Sequence, residues 1–170
     1  VGDMILRVQH LSLKSKDPFG VDLQDIALQV RAGEVVGVAG VSGNGQKELM
    51  MVLSGEDMRS APEMVQMLGK GVGRMGPGRR RSMGLHFVPE ERLGRGAVPS
   101  MGLAHNLLLT RKDALAKGGW IRMGKLKEQA LGIIRRFNVK AGGPDAPAQS
   151  LSGGNLQKFI VGREIDARPR

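Results

Sequence analysis

The segment VVGVAGVSGNGQKEL, Val35 to Leu49, decides the fold. Its first part, with Glu34 to Ala39, reads as an apolar strand of the buried type. Glycines then recur at Gly40, Gly43 and Gly45, and Gln46 to Leu53 reads as a helix with Leu49, Met50 and Leu53 on its inner side. A strand that enters a glycine loop and leaves as a helix is the setting a phosphate-binding loop requires. The glycines let successive N–H groups turn inward, and the helix start adds partial positive charge. A di- or triphosphate fits such a concavity. The standard loop follows its last glycine with Lys and then Ser or Thr. Here those places hold Gln46 and Lys47, with Glu48 next. Gln46 donates hydrogen bonds but carries no charge, and Lys47 cannot ligate Mg²⁺. Successive helical residues point about 100° apart, so Lys47 does not replace the missing lysine. The expectation is nucleotide binding that is weak or poor in metal, with little hydrolysis. The alternative for this loop is a structural glycine turn between strand and helix.

The composition is compatible with one globular unit. The 170 residues carry 26 Lys and Arg against 16 Asp and Glu, for a formal net charge of +10. Apolar residues make up 41%, well above what disorder implies. The absence of cysteine excludes a disulfide framework and a Cys-ligated metal site. No run approaches the roughly 18 apolar residues of a membrane helix, and the start VGDMILRVQH lacks a secretory pattern. The expectation is a soluble, intracellular chain. Its basic balance suits a nucleotide polyanion as well as a nucleic acid. Aromatic residues, at 3%, are too few for single-strand stacking.

Before the loop, Met4 to Val8 reads as a strand. Leu23 to Val30 alternates, with Ile26, Leu28 and Val30 on one face. After it, Glu63 to Leu68 and Leu85 to Val88 are short strand candidates, the latter stopped by Pro89. Gly69 to Gly84 reads as a loop with a short helical turn. Its Arg79–Arg81 run, like the basic face at 125–136, reads as solvated surface. Ala104 to Leu109 and Met123 to Phe137 read as helices, the second with Leu126, Ala130, Ile133, Ile134 and Phe137 inward. A Gly/Pro/Ala linker over 141–149 leads to a last helix with Leu156, Phe159 and Ile160 inward.

That last helix opens with LSGGNLQK, Leu151 to Lys158. Ser152 is a good N-terminal cap, and Gly153 and Gly154 present bare N–H groups at a positive helix end. It is a second anion-binding candidate, with a plain serine-capped helix as the alternative.

LSGGNLQK resembles the signature motif of ATP-binding-cassette (ABC) ATPases. Together with AGVSGNGQKEL, HFVPEER and LSGGNLQKFIVGREI, it resembles the second, degenerate cassette of bacterial importers for simple sugars and nucleosides. The resemblance implies an α/β fold: a P-loop NTPase core with an antiparallel β part and an α-helical subdomain, truncated at its C-terminus. Residues 1–88 would hold the nucleotide-binding core, 89–149 the Q-loop and helical subdomain, and 150–170 the signature and its helix. It implies ATP bound by Gly40, Ser42, Gly43, Asn44, Gly45, Gln46, Lys47 and Glu48. Phe19, in DPFG, would stack on adenine, unless it is an ordinary core or loop Phe. Glu90 would take the Q-loop place and reach a metal through water, unless Glu90-Glu91-Arg92 is a solvated turn. Ser152, Gly153, Gly154 and Gln157 would meet the γ-phosphate held by an opposite cassette. The implied partners are that second cassette, transmembrane permease subunits and, indirectly, an extracytoplasmic solute-binding protein, at the cytoplasmic face of the bacterial inner membrane. The family's metal-ligating Asp, catalytic Glu and switch His follow the signature. His10, His86 and His105 all precede it, and the chain ends near where the acidic strand would begin. No catalytic residue is therefore expected, and the chain alone should not turn over ATP. The rival is an ABC-type ATPase acting on nucleic acid or ribosomes without a permease, which the basic charge favours.

Overall fold

The structure is a computed structural model that describes residues 2–117 and 120–170. It divides into two compact units, residues 2–86 with Arg170, and residues 87–169.

The first unit is built on an antiparallel sheet. The strands are β1 (Met4–Leu13), β2 (Leu23–Arg31), β3 (Val65–Met67) and β4 (Lys70–Gly71), in the spatial order β2-β1-β3-β4. Between β2 and β3 lies helix α1 (Gln46–Ser54), and after β4 comes the short α2 (Pro77–Ser82). Leu6, Val8 and Leu11 of β1 pair with Val30, Leu28 and Ile26 of β2. The period-two alternation of β2 thus delivers its apolar set to one face. The register breaks between Val8 and Leu11. There His10 and Asp25 both adopt left-handed backbone (φ 48° and 47°), and His10 Nδ1 lies 2.8 Å from Asp25 Oδ1. Such a bulge lets a long strand keep its inward side chains on the core despite an extra residue. The core gathers Val8, Leu11, Leu23, Leu49, Val52, Val65, Met67 and Val72. In α1, Leu49 and Val52 are buried while Met50, expected inward, is exposed.

Two expected strands are absent as strands. Residues 34–41 and 85–89 have no ladder partner, and Val35 is 96% exposed. Apolar composition makes a segment fit for a sheet interior. A strand also requires a neighbouring backbone to receive its hydrogen bonds, and no described segment offers one here. The Gly69–Gly84 stretch, expected as a loop with a short helical turn, holds that turn as α2 and adds the two-residue β4.

The second unit is helical. It contains α3 (Leu103–Leu115), the small hairpin β5 (Ala116–Lys117) and β6 (Trp120–Ile121), α4 (Met123–Arg136) and α5 (Gly153–Asp166). Leu103 and Leu107 of α3, Leu126, Ala130 and Ile133 of α4, and Leu156, Phe159 and Ile160 of α5 share one core. The helix α5 is thus packed with the helices before it. Gly162 allows the close approach of α4 and α5, because a Cβ there would lie 2.6 Å from the Phe137 ring. Asn106 is fully buried and ties the 98–102 loop to the start of α3. Its Oδ1 accepts from Val98 N–H at 2.8 Å, and its Nδ2 faces the carbonyls of Val98, Met101 and Gly102. Removing such a buried amide leaves backbone groups unsatisfied, at a cost of about 1–3 kcal/mol. Among the described residues, no helix is long and apolar enough to cross a membrane.

Candidate functional site

In the first unit the glycine loop runs over residues 40–45 and opens α1. Gly43 (φ 86°) and Gly45 (φ 95°) are left-handed, a conformation that glycine enters without the Cβ penalty. Gly45 is the residue before α1 and offers no side chain to cap it. Residues 40–44, Ser42 among them, are exposed and Gly45 is buried against Val21 and Leu23, which lie 3.5 Å from where a Cβ would stand. Gln46 folds back over the loop: its Nε2 donates to Val41 O at 3.0 Å, and its Oε1 accepts from Asn44 N–H at 3.0 Å. It also lies against Gly40, where a Cβ would come within 2.7 Å of Nε2. The loop is therefore closed in part by its own glutamine. Lys47 is exposed. Glu48 Oε1 accepts from Val21 N–H at 3.2 Å, so its carboxylate ties the 17–21 turn to α1.

That turn carries Phe19. Asp17 Oδ1 accepts from Phe19 N–H and Asp17 O from Gly20 N–H. The ring stands 95% exposed, which excludes the core alternative for Phe19 and leaves a free aromatic face near the start of α1.

In the second unit Ser152 caps α5 as expected. Its Oγ accepts from Asn155 N–H at 3.4 Å and from Asn155 Nδ2 at 2.9 Å. Asn155 Oδ1 in turn accepts from Lys140 N–H at 2.9 Å, which fixes the amide that holds the cap. Gly153 and Gly154 are exposed. Their N–H groups meet no acceptor among the described residues. Gln157 and Glu90 line one open cavity with Val88, Pro89, Arg92 and Ile160. Arg92 Nη1 donates to Gln157 Oε1 at 3.1 Å, and its guanidinium lies 3.4 Å from where a Gly153 Cβ would be. Arg92 thus adds a cation to a helix end that is already electropositive. The sequence carried no signal for this. The PEER stretch has the composition of a solvated turn, and its pairing with Gln157 spans 65 positions.

The structure brings Phe19, the glycine loop and Glu48 together in one unit, and Glu90, Gln157 and the Ser152 cap together in the other. Among the described residues, no three His, Cys, Asp or Glu side chains cluster as a metal site would require.

Solved structures share this fold. An ATP-binding cassette of an ABC transporter in its ADP conformation superposes with a TM-score of 0.73 at 20% identity, covering 98% of this chain and 66% of that one. A bacterial ABC transporter cassette solved as a dimer gives 0.73 at 16% identity, over 97% and 71%. The chain has the ATP-binding-cassette fold. No family model matches its sequence. The chain is 38% identical, over 99% of its length, to the glucose import ATP-binding protein TsgD13 of Haloferax volcanii. It is 34% identical over 98% to the nucleoside import ATP-binding protein NupA of Lactococcus lactis subsp. cremoris. It is 32% identical over 99% to the guanosine import ATP-binding protein NupO of Bacillus subtilis. The chain spans about a third of the length of these curated relatives, 31%, 33% and 33% respectively.

Proposed function

We propose that this chain is part of the ATP-binding subunit of an ABC importer for sugars or nucleosides, and that it corresponds to the second cassette of such a subunit. The observation that carries the reading is the α5 start. A capping serine and two exposed glycines with unused N–H groups form an anion-binding end, within a chain whose relatives are import ATP-binding proteins along nearly its whole length. The roles are asymmetric. Ser152, Gly153, Gly154 and Gln157 grip the γ-phosphate of ATP seated on an opposite cassette. The glycine loop, with Ser42, Asn44, Lys47 and the Phe19 ring, holds a second ATP. The backbone donors of that loop suit phosphate. Its side chains do not suit Mg²⁺, because Lys47 stands where a hydroxyl ligand belongs, so nucleotide there is held weakly and with little metal. Closure of the cassette pair moves the permease through the helical unit and the Glu90 loop. An extracytoplasmic binding protein supplies the solute, and the assembly sits at the cytoplasmic face of the bacterial inner membrane.

The test is co-purification in detergent. The full transporter should retain a transmembrane subunit through the helical unit, and ATP should strengthen the cassette pair. Salt-dependent retention on DNA or ribosomes, with no membrane subunit recovered, would replace this reading with the nucleic-acid alternative.

A further inference from the structure

Arg80 overturns the expectation of a solvated Arg79–Arg81 run. It is completely buried, and every N–H of its guanidinium meets a backbone carbonyl. Nη1 donates to Val52 O (2.6 Å) and Leu53 O (2.9 Å), Nη2 to Val72 O (2.8 Å) and Gly73 O (3.2 Å), and Nε to Met75 O (2.8 Å). Arginine has five such donors and no more. No carboxylate pairs with it among the described residues. Burial pushes the guanidinium below its usual pKa. A buried ion without a counter-ion is costly. What offsets the cost here is five carbonyl dipoles, two of them at the C-terminal, negative end of α1.

The five carbonyls belong to three segments: the last turn of α1, the Val72–Gly73 stretch after β4, and Met75 ahead of α2. One side chain therefore locks the end of α1 to the sheet side of the unit. The C-cap at Gly55 is built around it. Gly55 is left-handed (φ 86°), and a Cβ there would lie 2.7 Å from Met75 O and 2.9 Å from Arg80 Nε. The opposite end of the same helix is the glycine loop. With 9 residues, α1 is about 13 Å long, one rigid rod with a glycine loop at one end and a buried cation at the other.

We infer that Arg80 is a positioning residue for the nucleotide: by fixing the C-terminal end of α1, it sets where the loop amides at the N-terminal end stand. The inference rests on the glycine loop holding nucleotide, as proposed above. Lysine cannot substitute, because three donors on one nitrogen do not span five carbonyls on three segments.

The experiment titrates ATP into the full ATP-binding subunit that contains this chain, selectively ¹⁵N-labelled at arginine, glycine, asparagine and lysine. The Arg80 Nε–H and Gly55 amide resonances should shift with the same midpoint as the Asn44 and Lys47 amides, since coupling between two ends of one element is reciprocal. R80K should weaken ATP binding about tenfold, within the usual range of coupling. It should also speed amide exchange at 43–48 as well as at 52–55, leaving α4 unchanged. A fixed Arg80 Nε–H at saturating ATP overturns the inference, and so does R80K with faster exchange confined to 52–55. The wild-type measurement needs no variant, so it stands even where R80K fails to fold. If ATP moves no loop amide in the wild type, the nucleotide reading itself fails. Exchange at 43–48 in R80K then decides the mechanical link by itself.

Discussion

The two glycine-opened helices, α1 and α5, look alike in sequence and differ in what their own side chains do. At α1 a glutamine turns back, takes the Asn44 N–H and bonds Val41 O. At α5 the serine cap is held from the side by Asn155, and the two glycine amides are left to solvent. Arg92 adds positive charge beside α5, and at α1 the nearest lysine, Lys47, points into solvent. Glycines alone do not make a strong anion site. What matters is whether the chain's polar side chains consume its donors or leave them ready.

The largest effect expected from this contrast is on transport. Ser152→Phe in the full transporter should abolish uptake of labelled sugar or nucleoside, while Lys47→Ala should reduce it only modestly. Equal losses would break the asymmetry. Next, Gln46→Lys should open the self-closed loop and restore a cation beside it. ATP affinity should then rise about tenfold by titration calorimetry, in keeping with the strength of charge-assisted bonds; an unchanged constant would show that loop closure is irrelevant to binding. In stability, Gly43→Ala should cost about 1–2 kcal/mol, because alanine must enter left-handed backbone, whereas Gly153→Ala should be close to neutral. Urea midpoints of the two variants make the comparison, and similar values would contradict the backbone geometry at Gly43. Smallest is Ser152→Ala, which should lose about 1 kcal/mol through the missing cap. A thermal melt with no shift would mean that Asn155 holds the turn alone.

Much of this was legible from local pattern. The alternation of Leu23 to Val30, the inward residues Leu126, Ala130 and Ile133, and the Ser152 cap all follow from short-range periodicity and hydrogen-bonding chemistry. Two kinds of feature were not legible. Pairing of Val35 to Val41 depends on a neighbour, not on its own apolar character. The burial of Arg80 and the Arg92–Gln157 contact depend on which segments meet across 28 and 65 positions. Three consecutive arginines read as surface, because a buried guanidinium is affordable only where five carbonyls converge, and convergence leaves no mark on composition.

The bare Val35–Val41 stretch also has a practical meaning at the bench. Apolar backbone without a neighbour is a template for another copy of itself, so this polypeptide should clump as its concentration rises, and light scattering on a dilution series would register it. A single Val38→Lys exchange, at a side chain already in water, is the mildest way to keep it monodisperse.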